Sequence, residues 1–410
     1  MKILVVNAGS SSLKYQVLEP ETGTLFAKGI CESIGNPENS MITHQQVIKD
    51  IKIKDQLYPM ENHAVALKLV VEKLLDKELG CIDSMDEIEA VGHRVVHGGA
   101  FFSESMLLTD EVLEKLKLCH DFAPLHTPAA IMGIQGCIAV MPEKPQVLVF
   151  DTAFHQSMAP EAYVYALPYE LYEKYGVRRY GAHGTSHRFV ANEMCKILGK
   201  TEGTKIVTCH IGNGSSISAV KDGKVMDTSM GFTPLAGVEM GTRCGDIDPA
   251  LVPYIMEKLN LNGEEVNNLM NKKSGFLGVS GISHDSRKLE AAVANGPSDP
   301  NYERAKLAVD ILKLQIKKYI GAYAAEMNGL DAVVFTAGVG ENNFRLREIV
   351  LEDMEYFGIK INKEVNTATH HQSDIVKIST DDSTVGVYVI PTNEELVIAR
   401  DTEALVNAKA

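Results

Sequence analysis

The chain opens on four consecutive apolar residues, Ile3 to Val6, which break at Asn7 into the small-residue turn Ala8-Gly9-Ser10-Ser11-Ser12. Alternation resumes at Leu13 and runs to Leu18, so the pattern predicts strand, tight turn, strand. Thr24 to Ile30 reads as a third strand, and the charged alternation from Gln45 to Ile53 as one more. Apolar residues at Ala64, Leu67, Val70, Val71 and Leu74 recur at helical spacing, which predicts an amphipathic helix within 61–79. Ile88 to Val96 is a strand ending in Arg94-Val95-Val96-His97-Gly98-Gly99; Asp110 to Cys119 is a helix, and Thr127-Pro128 reads as the N-cap and first-turn proline of another. Gln146 to Phe150 is a buried-type strand whose apolar run stops at Asp151. Ligands gather at the carboxyl ends of parallel strands, which puts Arg94 and Asp151 in candidate positions.

The second half repeats the first. Residues 205–216, KIVTCHIGNGSS, superpose without gaps on residues 2–13, KILVVNAGSSSL, and each copy leads into an alternating strand. A duplicated domain is the economical reading. A third glycine turn, Thr336-Ala337-Gly338-Val339-Gly340-Glu341-Asn342, follows the apolar strand 331–335 and precedes a helical pattern from Arg345 to Phe357. Between these turns, 300–327 is a long helical stretch. Near the end, Val385 to Ile390 reads as a strand, and Thr392-Asn393-Glu394-Glu395 opens a final helix in which Thr392 and Glu395 fit a capping box, leaving Glu394 to other work.

At 410 residues the chain exceeds what one core comfortably supports, so two domains are expected. A formal net charge of −14 argues against a nucleic-acid or anionic-membrane partner. No apolar run approaches the ~18 residues of a membrane span, and the start lacks a signal-peptide core. Seven scattered cysteines without a C-x-x-C pair point to reduced thiols.

Glycine and serine turns let backbone N–H groups and short hydroxyls converge on phosphate oxygens, although such turns also simply close hairpins. Against the acidic background the cations Lys14, Arg94, Arg179, Arg243 and Arg287 stand out. Arg243 lies between glycines in Gly241-Thr242-Arg243-Cys244-Gly245-Asp246-Ile247-Asp248, ahead of a helix that Asp248 and Pro249 would start; it either serves an anion or pairs with Asp246 or Asp248. The pairs His93/His97 and His183/His187 invite a zinc reading, but Gly184 weakens the helix that such a pair needs and no Glu lies between them. No G-x-S-x-G elbow, Walker pattern or protein-kinase set is present. Glycine turns, cations and free carboxylates together favour phosphoryl transfer, which needs positioning and positive charge more than covalent help.

Nine segments in order, VVNAGSSSLKY, VGHRVVHGG, APLHTP, VFDTAFHQSM, RRYGAHGTSH, CHIGNGSSISAV, DTSMGFTPLAGVEMGTRCGDIDP, FTAGVGEN and PTNEELVIARDT, resemble those of the acetate kinase family across nearly the whole chain. The resemblance implies an α/β fold of duplicated actin-like, ribonuclease H-like domains with a nucleotide cleft between them, as in actin, Hsp70 and sugar kinases. It sets an N-terminal domain at 1–150, joined by a C-terminal helix at 392–410, and a nucleotide-binding domain at 151–391. It implies reversible transfer from ATP to acetate, giving acetyl phosphate and ADP, with Mg²⁺ (or Mn²⁺), in a cytoplasmic homodimer.

By the same resemblance, Asn7 and Glu394 would organise the metal, and Lys14, Ser10 and Ser12 would approach the nucleotide phosphates. His210, Ile211, Gly212, Asn213 and Gly214, then Asp285, Ser286 and Arg287, then Gly338, Val339, Gly340, Glu341 and Asn342 would hold ATP. Arg94 would bind the acetate carboxylate with His126 in the same pocket, His183 and Arg243 would stabilise the transferring group, and Asp151 is the family's catalytic acid. Acetate is already ionised at neutral pH and needs no general base, so Asp151 is expected to act through metal or its water. Val96, Leu125 and Pro234 match the family's wall around the acetate methyl. Position 182 departs from it: the family has Phe, this chain Ala182, so the pocket is expected to tolerate propionate. Propionate or butyrate kinase is the nearer alternative, and a nucleotide-switched binding protein of the same fold the more distant one.

Overall fold

The computed structural model describes residues 1–124 and 126–409. The chain divides into two compact units, Met1–Phe154 together with the chain from Asn393 onward, and His155–Thr392.

Unit 1 is built on a sheet whose strands run, in chain order, β1 (Lys2–Ala8), β2 (Ser12–Glu19), β3 (Thr24–Glu32), β4 (Met41–Gln46), β5 (Ile51–Leu57), β6 (Ile88–Val95), β7 (Met106–Leu107) and β8 (Gln146–Phe150). Their spatial order is β5-β4-β3-β2-β1-β6-β8-β7. The hairpin strands pair antiparallel, whereas β6 runs parallel to β1 and β8 parallel to β6. The alternation then sorts side chains by face. Leu4, Val6 and Leu13 pack with Leu67, Val70 and Cys137 of the helices His63–Leu75 and Thr127–Val140. The helix Glu394–Lys409 packs on β1, β6 and β8, and it lies so close to β6 that a Cβ at Gly92 would meet Ile398 at 2.7 Å.

Unit 2 repeats that plan. Its strands are β9 (Lys205–Ile211), β10 (Ser215–Lys221), β11 (Lys224–Thr228), β12 (Ala332–Thr336), β13 (Val376–Lys377) and β14 (Gly386–Val389), in the order β11-β10-β9-β12-β14-β13. Each sheet thus has an antiparallel meander, of five strands in unit 1 and three in unit 2, two further strands added in parallel, and an antiparallel edge strand beside them. The turns match too: Gly9 N–H donates to Ser12 O at 2.8 Å, and Gly212 N–H to Gly214 O at 3.1 Å. In β9 the odd positions Val207, Cys209 and Ile211 enter the main core with the long helix Tyr302–Glu326. The even positions Thr208 and His210 face the helix Gly184–Leu198 and are buried although polar.

Several elements differ from the sequence expectation. The alternation from Gln45 to Ile53 is a hairpin, not one strand: β4 ends at Gln46, and Asp50, at φ +53, turns the chain into β5. Thr127 does not cap its helix; His126 holds the N-cap position, and the Thr127 hydroxyl donates to Cys119 O. The final helix begins at Glu394 with Asn393 as its cap, accepting from Leu396 N–H at 3.0 Å, while Thr392 Oγ1 donates to Ser186 Oγ. The helix after the Arg243 loop starts at Leu251 rather than Asp248, whose carboxylate accepts from Ala250 N–H in the preceding turn. Among the described residues no helix is long and apolar enough to cross a membrane.

Candidate active site

In unit 1 the site residues collect at the carboxyl ends of β1, β6 and β8. Arg94, near the end of β6, grips Asp151, just past β8, with two nitrogens: Nη2 to Oδ2 at 2.7 Å and Nε to Oδ2 at 3.1 Å. Asp151 is 1% exposed. Attraction to Asp151, and more weakly to Glu394, holds the Arg94 pKa above its ordinary value against the opposing effect of burial. Only the Nε and Nη2 side of the guanidinium is spent on this pair, which leaves Nη1 as a donor for a carboxylate ligand. Val96 follows β6 and is half-buried, and His126 is exposed at the head of its helix. Leu125 lies outside the described residues.

Asn7, at the end of β1, stands opposite Lys14 of β2, and the two line a groove of about 270 Å³ with Glu395 beside Glu394. The Asn7 amide and the Glu395 carboxylate are oxygen donors of the kind a hard cation takes, and the amines of Lys14, Lys28 and Lys52 line the same groove. Among the described residues no three His, Cys, Asp or Glu side chains gather as a metal cage. Ser10 and Ser11 are exposed in the β1–β2 turn and Ser12 half-buried. A Cβ at Gly9 would meet Ser12 Oγ at 2.7 Å, so a larger residue there would turn that hydroxyl away.

In unit 2 a cavity of about 600 Å³ is lined by Gly212, Asn213, Asp285, Ser286, Arg287, Gly338, Val339 and Asn342. Phe276, His284, Glu290, Asn343 and His371 line it as well, and no sequence motif had singled these out. Asp285 caps the helix Ser286–Asn295 by accepting from Arg287 N–H at 3.0 Å. A hydrogen bond from the Arg287 guanidinium also holds the Asp285 carboxyl down to about 2. The third glycine turn is itself helical, Ala337–Asn342, and starts from a left-handed Ala337 at φ +65. Glu341 does not line the cavity: its Oε1 turns back to accept from Ala337 N–H at 2.8 Å and Thr392 N–H at 3.1 Å.

The same unit holds His183 and Arg243. His183 occupies the N-cap position of the helix Gly184–Leu198 in a left-handed conformation, φ +59, a strained backbone that aims its ring. Its imidazole stacks on His210, centroids 4.0 Å apart. Arg243 donates to Pro234 O at 3.3 Å, and Met240 Sδ lies 3.7 Å from the same nitrogen. Neither Asp246 nor Asp248 pairs with it: Asp246 accepts from Gly237 N–H and Tyr319 O–H instead. His183 and Arg243 converge at Gly214, where a Cβ would meet Arg243 Nη1 at 3.3 Å and His183 Nε2 at 3.6 Å. Ala182 is buried in a small apolar cluster with Met230 and Met240.

Other candidates are spent on structure. Arg179 donates to Thr228 O and faces Asp227. His93 bonds Gln146 at 2.6 Å, and His97 Nδ1 accepts from Gly99 N–H.

The acetokinase family model matches residues 2–400. The acetate kinase of Thermoanaerobacter pseudethanolicus is 54% identical over 407 residues, covering 99% of each chain. Among solved structures, Porphyromonas gingivalis acetate kinase superposes with a TM-score of 0.93 at 46% identity over 99% of each chain. A propionate kinase from Francisella tularensis gives 0.89 at 40% identity, over 98% of this chain and 99% of that one.

Proposed function

The chain belongs to the acetokinase family, and on that premise we propose that it transfers the γ-phosphoryl group of ATP reversibly to acetate, giving acetyl phosphate and ADP. A carboxylate oxygen of acetate forms the new bond to γ-phosphorus as the bond to the β,γ-bridging oxygen breaks, and ADP leaves with that electron pair. No proton needs to move, because acetate attacks as the ionised carboxylate and the product is an acyl phosphate, a mixed anhydride. In unit 1, Arg94 anchors the carboxylate through Nη1 while Asp151 fixes the orientation of the guanidinium, with His126 and Val96 beside the acyl group. In unit 2, His183 and Arg243 donate to the equatorial oxygens, and Pro234 and Ala182 belong to the acyl wall. The cavity lined by Gly212, Asn213, Asp285, Ser286, Arg287, Gly338, Val339 and Asn342 takes the nucleotide; the assignment of Lys14, Ser10 and Ser12 to its phosphates rests on the family resemblance.

The observation that carries this reading is the convergence of His183 Nε2 and Arg243 Nη1 at Gly214, with no carboxylate pairing Arg243 among the described residues. Asn7 and Glu394 would hold Mg²⁺ or Mn²⁺, sharing it with phosphate oxygens and water. When bound, the ion neutralises charge on the β- and γ-phosphates. Trapping acetyl phosphate as its hydroxamate from acetate and ATP tests the activity; no hydroxamate at any acetate concentration refutes it.

A homodimer is supported by the exposed apolar residues Leu251, Tyr254 and Leu259 on one short helix, and light scattering at twice 44.8 kDa is the expected result. A cytoplasmic setting fits seven free cysteines.

The propionate reading turns on position 182. Met230 and Met240 pack against Ala182, and flexible thioethers fill irregular space, so they partly occupy the volume a larger side chain would take. Propionate is therefore expected to be used, with acetate still preferred. Ala182→Phe should lower kcat/KM for propionate relative to acetate by about 10-fold or more; an unchanged ratio removes the role of this position.

A further inference from the structure

His187, the second histidine of the segment Gly181–His187, has no part in the roles above, yet it is fully buried and built into a chain of short hydrogen bonds. Its Nδ1 lies 2.7 Å from Thr208 Oγ1 and its Nε2 2.7 Å from Ser216 Oγ. The same Ser216 Oγ lies 2.8 Å from Nδ1 of His183. Burial pulls the His187 pKa well below its ordinary value, with the neighbouring His155 and His210 adding to the effect, so the ring is neutral and carries one proton.

A serine hydroxyl has a single hydrogen, and a neutral imidazole has one donor and one acceptor nitrogen. Ser218 O lies at the longer distance of 3.5 Å from Thr208 Oγ1 and can accept its hydrogen only when that hydrogen is not given to His187. The chain therefore has two self-consistent arrangements, of which the first leaves the Thr208 hydrogen to Ser218 O and the second gives it to the closer His187 Nδ1. In one, His183 Nδ1–H donates to Ser216, Ser216 donates to His187 Nε2, and His187 Nδ1–H donates to Thr208; His183 Nε2 is then an acceptor. In the other, Thr208 donates to His187 Nδ1, His187 Nε2–H donates to Ser216, and Ser216 donates to His183 Nδ1. The His183 proton must then sit on Nε2. Each residue holds the same number of protons in both.

His183 Nε2 is the nitrogen beside Gly214, where Arg243 Nη1 also lies. His210 stacks on the His183 ring with its own Nδ1 on Ser186 Oγ, and His187 is joined to it through Ser216. Only the second arrangement places a donor at Gly214 without adding another positive charge next to Arg243. We propose that Ser216 and His187 are positioning residues that fix the tautomer of His183, so that its neutral ring donates from Nε2. This rests on the role of His183 in phosphoryl transfer given above.

Nitrogen-15 NMR of the histidine rings in the full-length protein at pH 8 is the direct test. The expected spectrum has His183 protonated at Nε2 with Nδ1 as a hydrogen-bonded acceptor, and His187 also protonated at Nε2. A His183 protonated at Nδ1 overturns the proposal. Ser216→Ala should lower kcat about 10-fold at unchanged KM for ATP. Ser216→Thr, which keeps the hydroxyl, should restore both kcat and the Nδ1 shift; wild-type kcat in Ser216→Ala also overturns it. If Ser216→Ala fails to fold, the wild-type tautomer alone decides. Full activity in His183→Ala would refute the transfer role of His183 instead, and the NMR assignment separates the two failures.

Discussion

Arg243 is half-buried with a carbonyl oxygen and a thioether as its contacts, and burial pulls its pKa below the ordinary value. A cation kept in such a place without a carboxylate is stabilised when an anion arrives. Arg243→Ala should lower kcat by roughly 10³- to 10⁵-fold with little change in KM for ATP, because the nucleotide cavity is lined by other residues. Steady-state kinetics decide it; a loss confined to KM counts against the assignment. Arg94→Ala should also raise KM for acetate, since it removes a charge-assisted contact made in the ground state. At His93 the prediction concerns stability. Burial pushes its pKa down to about 4, below the ~6.5 of an unfolded histidine, so the unfolded chain binds a proton first as pH falls. Stability is whole above about pH 6.5 and declines towards pH 4, on the order of 1 kcal/mol per pH unit. Comparing urea midpoints at pH 7 and pH 5, His93→Gln should lose less than wild type. Arg94, Asp151, His183 and Arg243 were legible in the sequence as candidates, as was the choice between pairing and anion binding posed for Arg243. That Asp151 is the partner of Arg94, and that Glu341 turns inward, depends on side-chain directions across 57 and 51 residues of chain.

Elements were legible where one face is apolar, and less so at their ends. The expected helix within 61–79 is His63–Leu75, capped by Asn62, and the strand Gln146–Phe150 has its expected bounds. The two strands β4 and β5 were merged because lysines and glutamines continue the alternation through the turn, and nothing but the left-handed Asp50 marks the break. Capping was misassigned at Thr392 because Asn393, an equally good cap, stands next to it and wins once Thr392 is drawn to Ser186. The packing of the helix Glu394–Lys409 on β6 leads to a further prediction. A methyl group at Gly92 would sit 2.5 Å from Thr402 Oγ1 and 2.7 Å from Ile398 Cγ2, so Gly92→Ala should force the helix outward and cost about 1 to 3 kcal/mol. Urea denaturation measures it, and an unchanged midpoint would mean that the helix yields freely.

At the scale of the whole molecule, each unit has its own sheet and core, and every residue lining the cavity assigned to the nucleotide belongs to unit 2. Hydrogen exchange with ADP should therefore slow at 212–214, 284–290 and 338–343, and leave β4 and β5 of unit 1 unaffected; uniform protection of both units would contradict the cavity assignment. By itself the sequence determined the duplication, because 205–216 echoes 2–13 and similar local patterns fold into similar strand–turn–strand units. It also marked the glycine turns and five cations as candidates, of which Arg179 is held by Thr228 O and Asp227. Tertiary structure alone decided the pairings. The Ser216 hydroxyl joins two histidines, Met240 lies against both Arg243 and Ala182, and Asn7 and Glu395 line one groove only because strands and helices distant in sequence are packed face to face. Buried Thr208, His210, Ser216 and Ser218 look like the solvent side of an ordinary alternating strand until the helix Gly184–Leu198 covers them. A periodicity of two tells which residues share a face but not what that face will meet, and the meeting is what turns a row of hydroxyls and imidazoles into a site.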